Sequence, residues 1–359
     1  MKKIKNKMST KRLKLSEGNR EEEEQEDKDK EDEDEWEFLN ELTDETVSID
    51  IVGNKITCSR SLSKCIFIVG LCESGLRTQT TLIYDTINQK LTLGPSTKIL
   101  RTNLAATSIG PSKILIAGGE ITATTTSITC EIFDAGEGRI YFADSMLTRR
   151  KNFQLVLLAD GKTVISIGGE DVTKKYDSCE LYDVERDSWR KSEARLSQPR
   201  WNHTATLMPD GRVFVFGGWY KNGPAVDAEI YDPNTDSFTL HKAKLSHRTG
   251  HTACLLPNGH LFLAGGIFAT YAEAIYSIDF DDDPKYIYNH RNPVYCSALM
   301  STGEVFAAGN QHIMIVDTKT LKARESALSG RNFPYKHLTI QKGCKSVAFA
   351  NPTTNNIHK

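Results

Sequence analysis

Six arginines recur along the chain, at Arg101, Arg150, Arg200, Arg248, Arg291 and Arg331. Amide or imidazole side chains follow one to three residues later: Asn103, Asn152, Asn202, His203 and His251. A guanidinium beside an amide or imidazole presents N–H donors suited to carboxylates and peptide carbonyls. A repeated arginine can equally tie one structural unit to the next by donating to backbone carbonyls. A second set is aromatic, Trp219, Tyr220, Phe268 and Tyr271, of the types enriched in interface hot spots. No nucleophile–base pair, no paired carboxylates in a shared context and no phosphate-binding glycine loop stand out, so no catalytic residue, metal ligand or cofactor is assigned.

The spacing of these residues follows an internal repeat. Glycine pairs stand at Gly118-Gly119, Gly168-Gly169, Gly217-Gly218 and Gly265-Gly266, at intervals of 50, 49 and 48 residues. Each closes an apolar run (114–117, 164–167, 213–216, 261–264), and degenerate copies end at Gly70 and Gly309. An aromatic–aspartate element keeps the same period, at Tyr84-Asp85, Phe133-Asp134, Tyr182-Asp183 and Tyr231-Asp232. Tight turns precede the apolar runs: Asp160-Gly161, Asp210-Gly211, Asn258-Gly259 and Thr302-Gly303. Asp-Gly and Asn-Gly are hairpin signals, because glycine and asparagine accept positive φ. Each period thus holds four short strands, A to D, which in the fourth repeat cover 203–208, 212–217, 228–232 and 237–241. Four strands per 40–50 residues, repeated round a ring, is the signature of a β-propeller.

The glycine pair after a β run, the Tyr-Asp of the third strand and Asp187-Ser188-Trp189 in the fourth resemble the kelch motif, over roughly residues 55–350. Trp189 is the one tryptophan at its position, with Phe238 and Tyr141 read as its stand-ins. The resemblance implies an all-β kelch-type propeller of four-stranded antiparallel blades. The repeats count to seven, with six as the alternative. The seventh comes from a C-terminal copy supplying an A and a B strand, and residues 47–52 are expected to pair with it and close the ring.

In such a fold the A–B turns lie on one face, and the B–C and D–A loops on the other. The B–C loops (71–80, 120–129, 170–178, 219–227, 267–273) are long and mixed, where function usually resides. By resemblance, early A-strand residues ring the channel mouth and bind acidic or polar peptides, which places His203 and His251 there. The expected binding set is therefore Arg101, Asn103, Arg150, Arg200, Asn202, His203, Trp219, Tyr220, Arg248, His251, Phe268 and Arg291.

Outside the repeats the charge is uneven. Residues 1–14 carry seven bases, and residues 17–47 carry 17 acids against three bases. Residues 1–46 are accordingly expected to be a disordered arm, 47–352 the propeller and 353–359 a tail. The remainder carries a net +5 over more than 300 residues, which is no nucleic-acid footprint. No apolar run reaches membrane-spanning length and no secretory leader is read at the N-terminus. The eight cysteines form no Cys-x-x-Cys pair. They read as reduced, apolar core residues in a cytoplasmic or nuclear protein. These readings predict a non-enzymatic scaffold that binds a protein or peptide on the loop-rich face, as a substrate-recognition or adaptor subunit of a larger complex. The alternative that the resemblance raises is a kelch-like copper oxidase or other propeller enzyme, for which His203 and His251, one repeat period apart, are the candidate ligands with Cys254 nearby in sequence.

Overall fold

In the computed structural model the backbone is described for residues 65–267, apart from 74–75, 222, 226 and 242–247. It is also described for 47–51, 54–58, 273–276, 294, 296–309, 312–320, 322–328, 338–339 and 345–348. The chain divides into two compact units, Met1–Asp44 and Glu45–Lys359, and every described residue belongs to the second. The arm 1–46, the tail 353–359, Phe268, Tyr271, Arg291 and Arg331 lie outside the described residues.

All regular structure among the described residues is β. Four-stranded antiparallel sheets form the second blade (Ala105–Ser108, Lys113–Ala117, Cys130–Asp134, Arg139–Ala143) and the third (Gln154–Leu157, Thr163–Ile167, Ser178–Asp183, Ser188–Arg195). The fourth (Thr204–Leu207, Val213–Phe216, Ala228–Asp232, Ser237–His241) and the last (Cys296–Leu299, Glu304–Gly309, His312–Asp317, Ala323–Glu325) have the same order. The first blade joins Cys65–Val69, Thr81–Asp85 and Lys90–Gly94 to an inner strand from the far end of the chain, Lys345–Ala348. Between the fourth and last blades, Thr249–Leu255, Leu261–Ile267 and Glu273–Tyr276 make a three-stranded sheet. The inner strands pack one against the next round a closed circuit.

The architecture is the expected kelch-type propeller, closed as expected by pairing a strand near the N-terminus with one near the C-terminus, but the count and the N-terminal strand that makes the closure are corrected. Among the described residues five four-stranded blades are present, rather than seven or six. The C-terminal copy does not found a further sheet: Lys345–Ala348 pairs with Cys65–Val69, with Ile66 opposite Ala348 and Val69 opposite Lys345. Nor does the segment at 47–52 pair with the C-terminus, since Val47–Ile51 folds back on Asn54–Cys58 as a hairpin.

The middle strands are apolar without alternation because both faces are covered by neighbouring blades. Phe67 of the first blade stacks on Phe133 of the second at 4.6 Å, and Tyr84 meets Phe306 of the last blade at 5.0 Å. The aspartate of each Tyr-Asp element caps the following turn. The Asp183 carboxylate accepts from the N–H groups of Glu185 and Arg186, and Asp85, Asp134, Asp232 and Asp317 do the same for their own turns. Register also identifies the counterparts of Trp189, which lies opposite Tyr182: Phe238 lies opposite Tyr231, whereas Ile140, not Tyr141, lies opposite Phe133.

Candidate functional site

The site is built on the joints between blades. At the first glycine of each pair φ is positive, at 61° for Gly118, 60° for Gly168 and 64° for Gly217. A Cβ there would stand 2.5, 2.7 and 2.5 Å from the carbonyl oxygens of Arg150, Arg200 and Arg248 in the next repeat. The second glycine completes the joint, as the N–H groups of Gly119, Gly169 and Gly218 donate to those same carbonyls at 2.8, 2.9 and 2.9 Å. The glycine pair thus serves close approach of two backbones, which any side chain would block.

Each arginine side chain then turns into its own blade. Arg150 Nη1 donates to the carbonyls of Gly168 and Ser178, both at 2.7 Å, and Nη2 pairs with Glu180 at 3.2 Å. Arg101 reaches Gly118, Thr129 and Glu131, and Arg200 reaches Gly217, Asp227 and Glu229. The glutamates also hold the linker that enters the blade: Glu131 accepts from the N–H groups of Lys98 and Ile99, Glu180 from Leu147, and Glu229 from Ser197. Arg101, Arg150, Arg200 and Arg248 are all buried. Burial pulls the Arg101 and Arg200 guanidinium pKa values down, against the opposing carboxylates of Glu131 and Glu229. The expected arginine rim is therefore corrected: these guanidinium groups join elements and are not offered to solvent.

His203 and His251 are buried as well. The His203 ring lies against Gly168 and the His251 ring against Gly217, the places that Phe153 fills beneath Gly118 in the third blade. His251 Nε2 lies 2.9 Å from Thr204 Oγ1, and its ring meets Phe216 edge-on at 5.5 Å. The two imidazoles act as core rings at successive joints, so their placement at the channel mouth is likewise corrected. Asn103, Asn152 and Asn202 fare differently. They adopt φ of 55°, 57° and 55° and remain partly exposed. Their backbones link blades in series, Asn152 N–H to Asn103 O, Asn202 N–H to Asn152 O and Gly250 N–H to Asn202 O, each at 2.9 Å.

Between these fixed residues lies a variable pair. The residue after each arginine bridges the residue after the glycine pair of the same repeat: Thr102 with Glu120, Lys151 with Glu170, Trp201 with Trp219, and Thr249 with Ile267. The bridge fastens the D–A linker to the B–C loop, and so joins the two loop sets predicted to share a face. Lys151 pairs with Glu120 across a joint, while Glu170 accepts from Lys175 and, at 2.9 Å, from Asn152 Nδ2. Lys175 Nζ also lies 4.6 Å from the centre of the Trp201 ring. Trp219 and Tyr220, both singled out by the sequence, start a short hairpin in which Tyr220 pairs with Gly223. Trp219 Nε1 donates to the Lys221 carbonyl at 3.2 Å. Glu120, Lys151, Glu170, Lys175 and Trp201 were absent from the sequence-derived set. For Glu120, Lys151, Glu170 and Trp201 the signal was available as the positions that change beside the recurrent Arg and Gly-Gly of these repeats.

The sequence model of the family described as the KLHDC2/KLHL20/DRC7 Kelch-repeats domain matches residues 103–316. No curated protein matches the chain.

Proposed function

This chain belongs to the KLHDC2/KLHL20/DRC7 kelch-repeat family, and from that premise we propose that it is a non-enzymatic scaffold binding a protein or peptide on the face where B–C loops and D–A linkers meet. Kelch propellers commonly serve as protein-interaction scaffolds. The observation that carries the reading is the contrast within each repeat. Arginine, asparagine and the glycine pair are spent on joints, while the bridged pair between them changes from Thr–Glu to Lys–Glu to Trp–Trp. A rigid frame that holds changing side chains on one face is the arrangement of a recognition surface. The role is that of a substrate-recognition or adaptor subunit.

The test is affinity capture from native cells with the wild type and a face variant, Lys151→Ala/Glu170→Ala/Trp219→Ala/Tyr220→Ala. A control variant, Lys162→Ala/Glu185→Ala, removes an exposed ion pair at 2.7 Å elsewhere on the third blade. Loss of a specific partner from the face variant alone, with melting behaviour kept, is the expected result. A partner list unchanged in the face variant would remove this face from consideration.

A further inference from the structure

Resting on that reading, we propose that the partner is held by an apolar or aromatic side chain laid on a tryptophan pair of the fourth blade, Trp201 and Trp219, and not by acidic charge. Among the described residues, three of the recurrent arginines and two lysines of the face are already engaged with carboxylates. Arg101, Arg150 and Arg200 are buried against Glu131, Glu180 and Glu229. On the face itself Lys151 pairs with Glu120 and Lys175 with Glu170. A carboxylate ligand at Lys151 or Lys175 therefore meets a lysine with a carboxylate already beside it, so its gain there is a difference between two similar pairings.

The fourth blade breaks this polar pattern. Trp201 N–H donates to Trp219 O at 3.3 Å and Trp219 N–H to Trp201 O at 2.7 Å, a mutual backbone pair that sends both side chains to the same side of the ladder. Both indoles are partly exposed. The Trp219 indole Nε1–H already has the Lys221 carbonyl as acceptor, so its polar edge asks nothing of a ligand. What these rings offer is apolar area and π faces. Lys175 covers the Trp201 ring at 4.6 Å and Lys221 the Tyr220 ring at 5.0 Å, which shows that these faces accept a group laid across them. Val172, exposed on the loop that carries Lys175, adds apolar surface from the third blade. At the equivalent bridges the second and third blades place Thr102–Glu120 and Lys151–Glu170, so the aromatic pair is a local substitution into a frame that does not require it.

The experiment selects phage-displayed random dodecapeptides on the full chain and measures the affinity of the recovered peptides at low and high salt. Expected are peptides rich in aromatic and aliphatic residues, with affinity changed less than about threefold by salt because little charge is neutralised. Trp201→Ala/Trp219→Ala should weaken them by about tenfold or more, as loss of a hot-spot aromatic does. Lys151→Ala/Lys175→Ala should leave them nearly unchanged. Trp201→Thr/Trp219→Glu installs the second blade's own pair and serves as a folded alternative to the alanine variant. Acid-rich peptides that lose binding in high salt and in the lysine variant, but not in either tryptophan variant, would overturn the proposal while leaving a peptide-binding face. Failure to recover any peptide, or binding indifferent to all three variants, would remove the binding face and this proposal with it.

Discussion

A single methyl group separates two roles that glycine plays in this chain. Gly161 and Gly168 have similar positive φ, 69° and 60°, so alanine meets a similar backbone penalty at each. At Gly161 a Cβ would enter open space, whereas at Gly168 it would stand 2.7 Å from the Arg200 carbonyl oxygen and 3.1 Å from the His203 ring. Gly161→Ala should cost about 1–2 kcal/mol, the left-handed strain alone. Gly168→Ala adds overpacking and separation of two blades, for a total of about 3 kcal/mol or more. Urea unfolding of the two variants measures the difference, and equal losses would show that the glycine pair is chosen for φ and not for contact. The same joint explains why His203 and His251 were misplaced by the sequence. The resemblance set both at the channel mouth, but Asn202 and Gly250 just before them have φ of 55° and 68° and turn the following ring under the glycine pair.

Individual strands were legible because their signals are local. The fourth-repeat strands predicted at 228–232 and 237–241 are Ala228–Asp232 and Ser237–His241, and the Tyr-Asp aspartates cap the turns beside them. What the repeat could not display is the second aspartate of these turns, which joins one blade to the next. Asp236, at φ 45°, accepts from Tyr231 Oη at 2.9 Å within its turn, and from Ser192 Oγ at 2.7 Å and the Glu193 N–H at 3.0 Å in the third blade. Burial works against the charged carboxylate, yet the hydrogen bonds from Ser192, Tyr231 and Glu193 outweigh it and hold Asp236 below the ordinary aspartate pKa. A carboxyl whose folded pKa lies below its unfolded value, near 4, stabilises fully above that value and loses the contribution as pH falls through the folded one. Asp236→Asn should therefore cost about 1–2 kcal/mol at pH near 7, after discounting for partial exposure. The gap between wild type and variant should shrink as the medium is acidified below about pH 4. Denaturant titrations across that range test it, and a gap independent of pH would place the effect in shape rather than charge.

At the scale of the whole molecule, repeats announce a ring but not where it closes. Closure depends on one pairing between segments far apart in sequence, and the strand that makes it, Lys345–Ala348, looks locally like any other β run. Without it the inner edge of Cys65–Val69 would face the channel unpaired, and the first blade would lose its contact with the inner strands of the second and last blades. Interface stability in a repeat protein is shared between neighbours, so the loss should not stay local. Deleting residues 345–359 removes a four-residue ladder, Ile66 to Val69 against Lys345 to Ala348. At roughly 1 kcal/mol per hydrogen bond, the truncated chain should unfold about 3–4 kcal/mol more easily and over a broader range. Adding the missing segment back as a synthetic peptide should restore the midpoint in proportion to its concentration, because a strand that binds only the folded ring stabilises it by mass action. A truncated chain that melts like the full one, or a peptide without effect, would mean that the ring is held shut by its blade-to-blade cores, such as Tyr84 against Phe306, and that the terminal strand only covers an edge already secured.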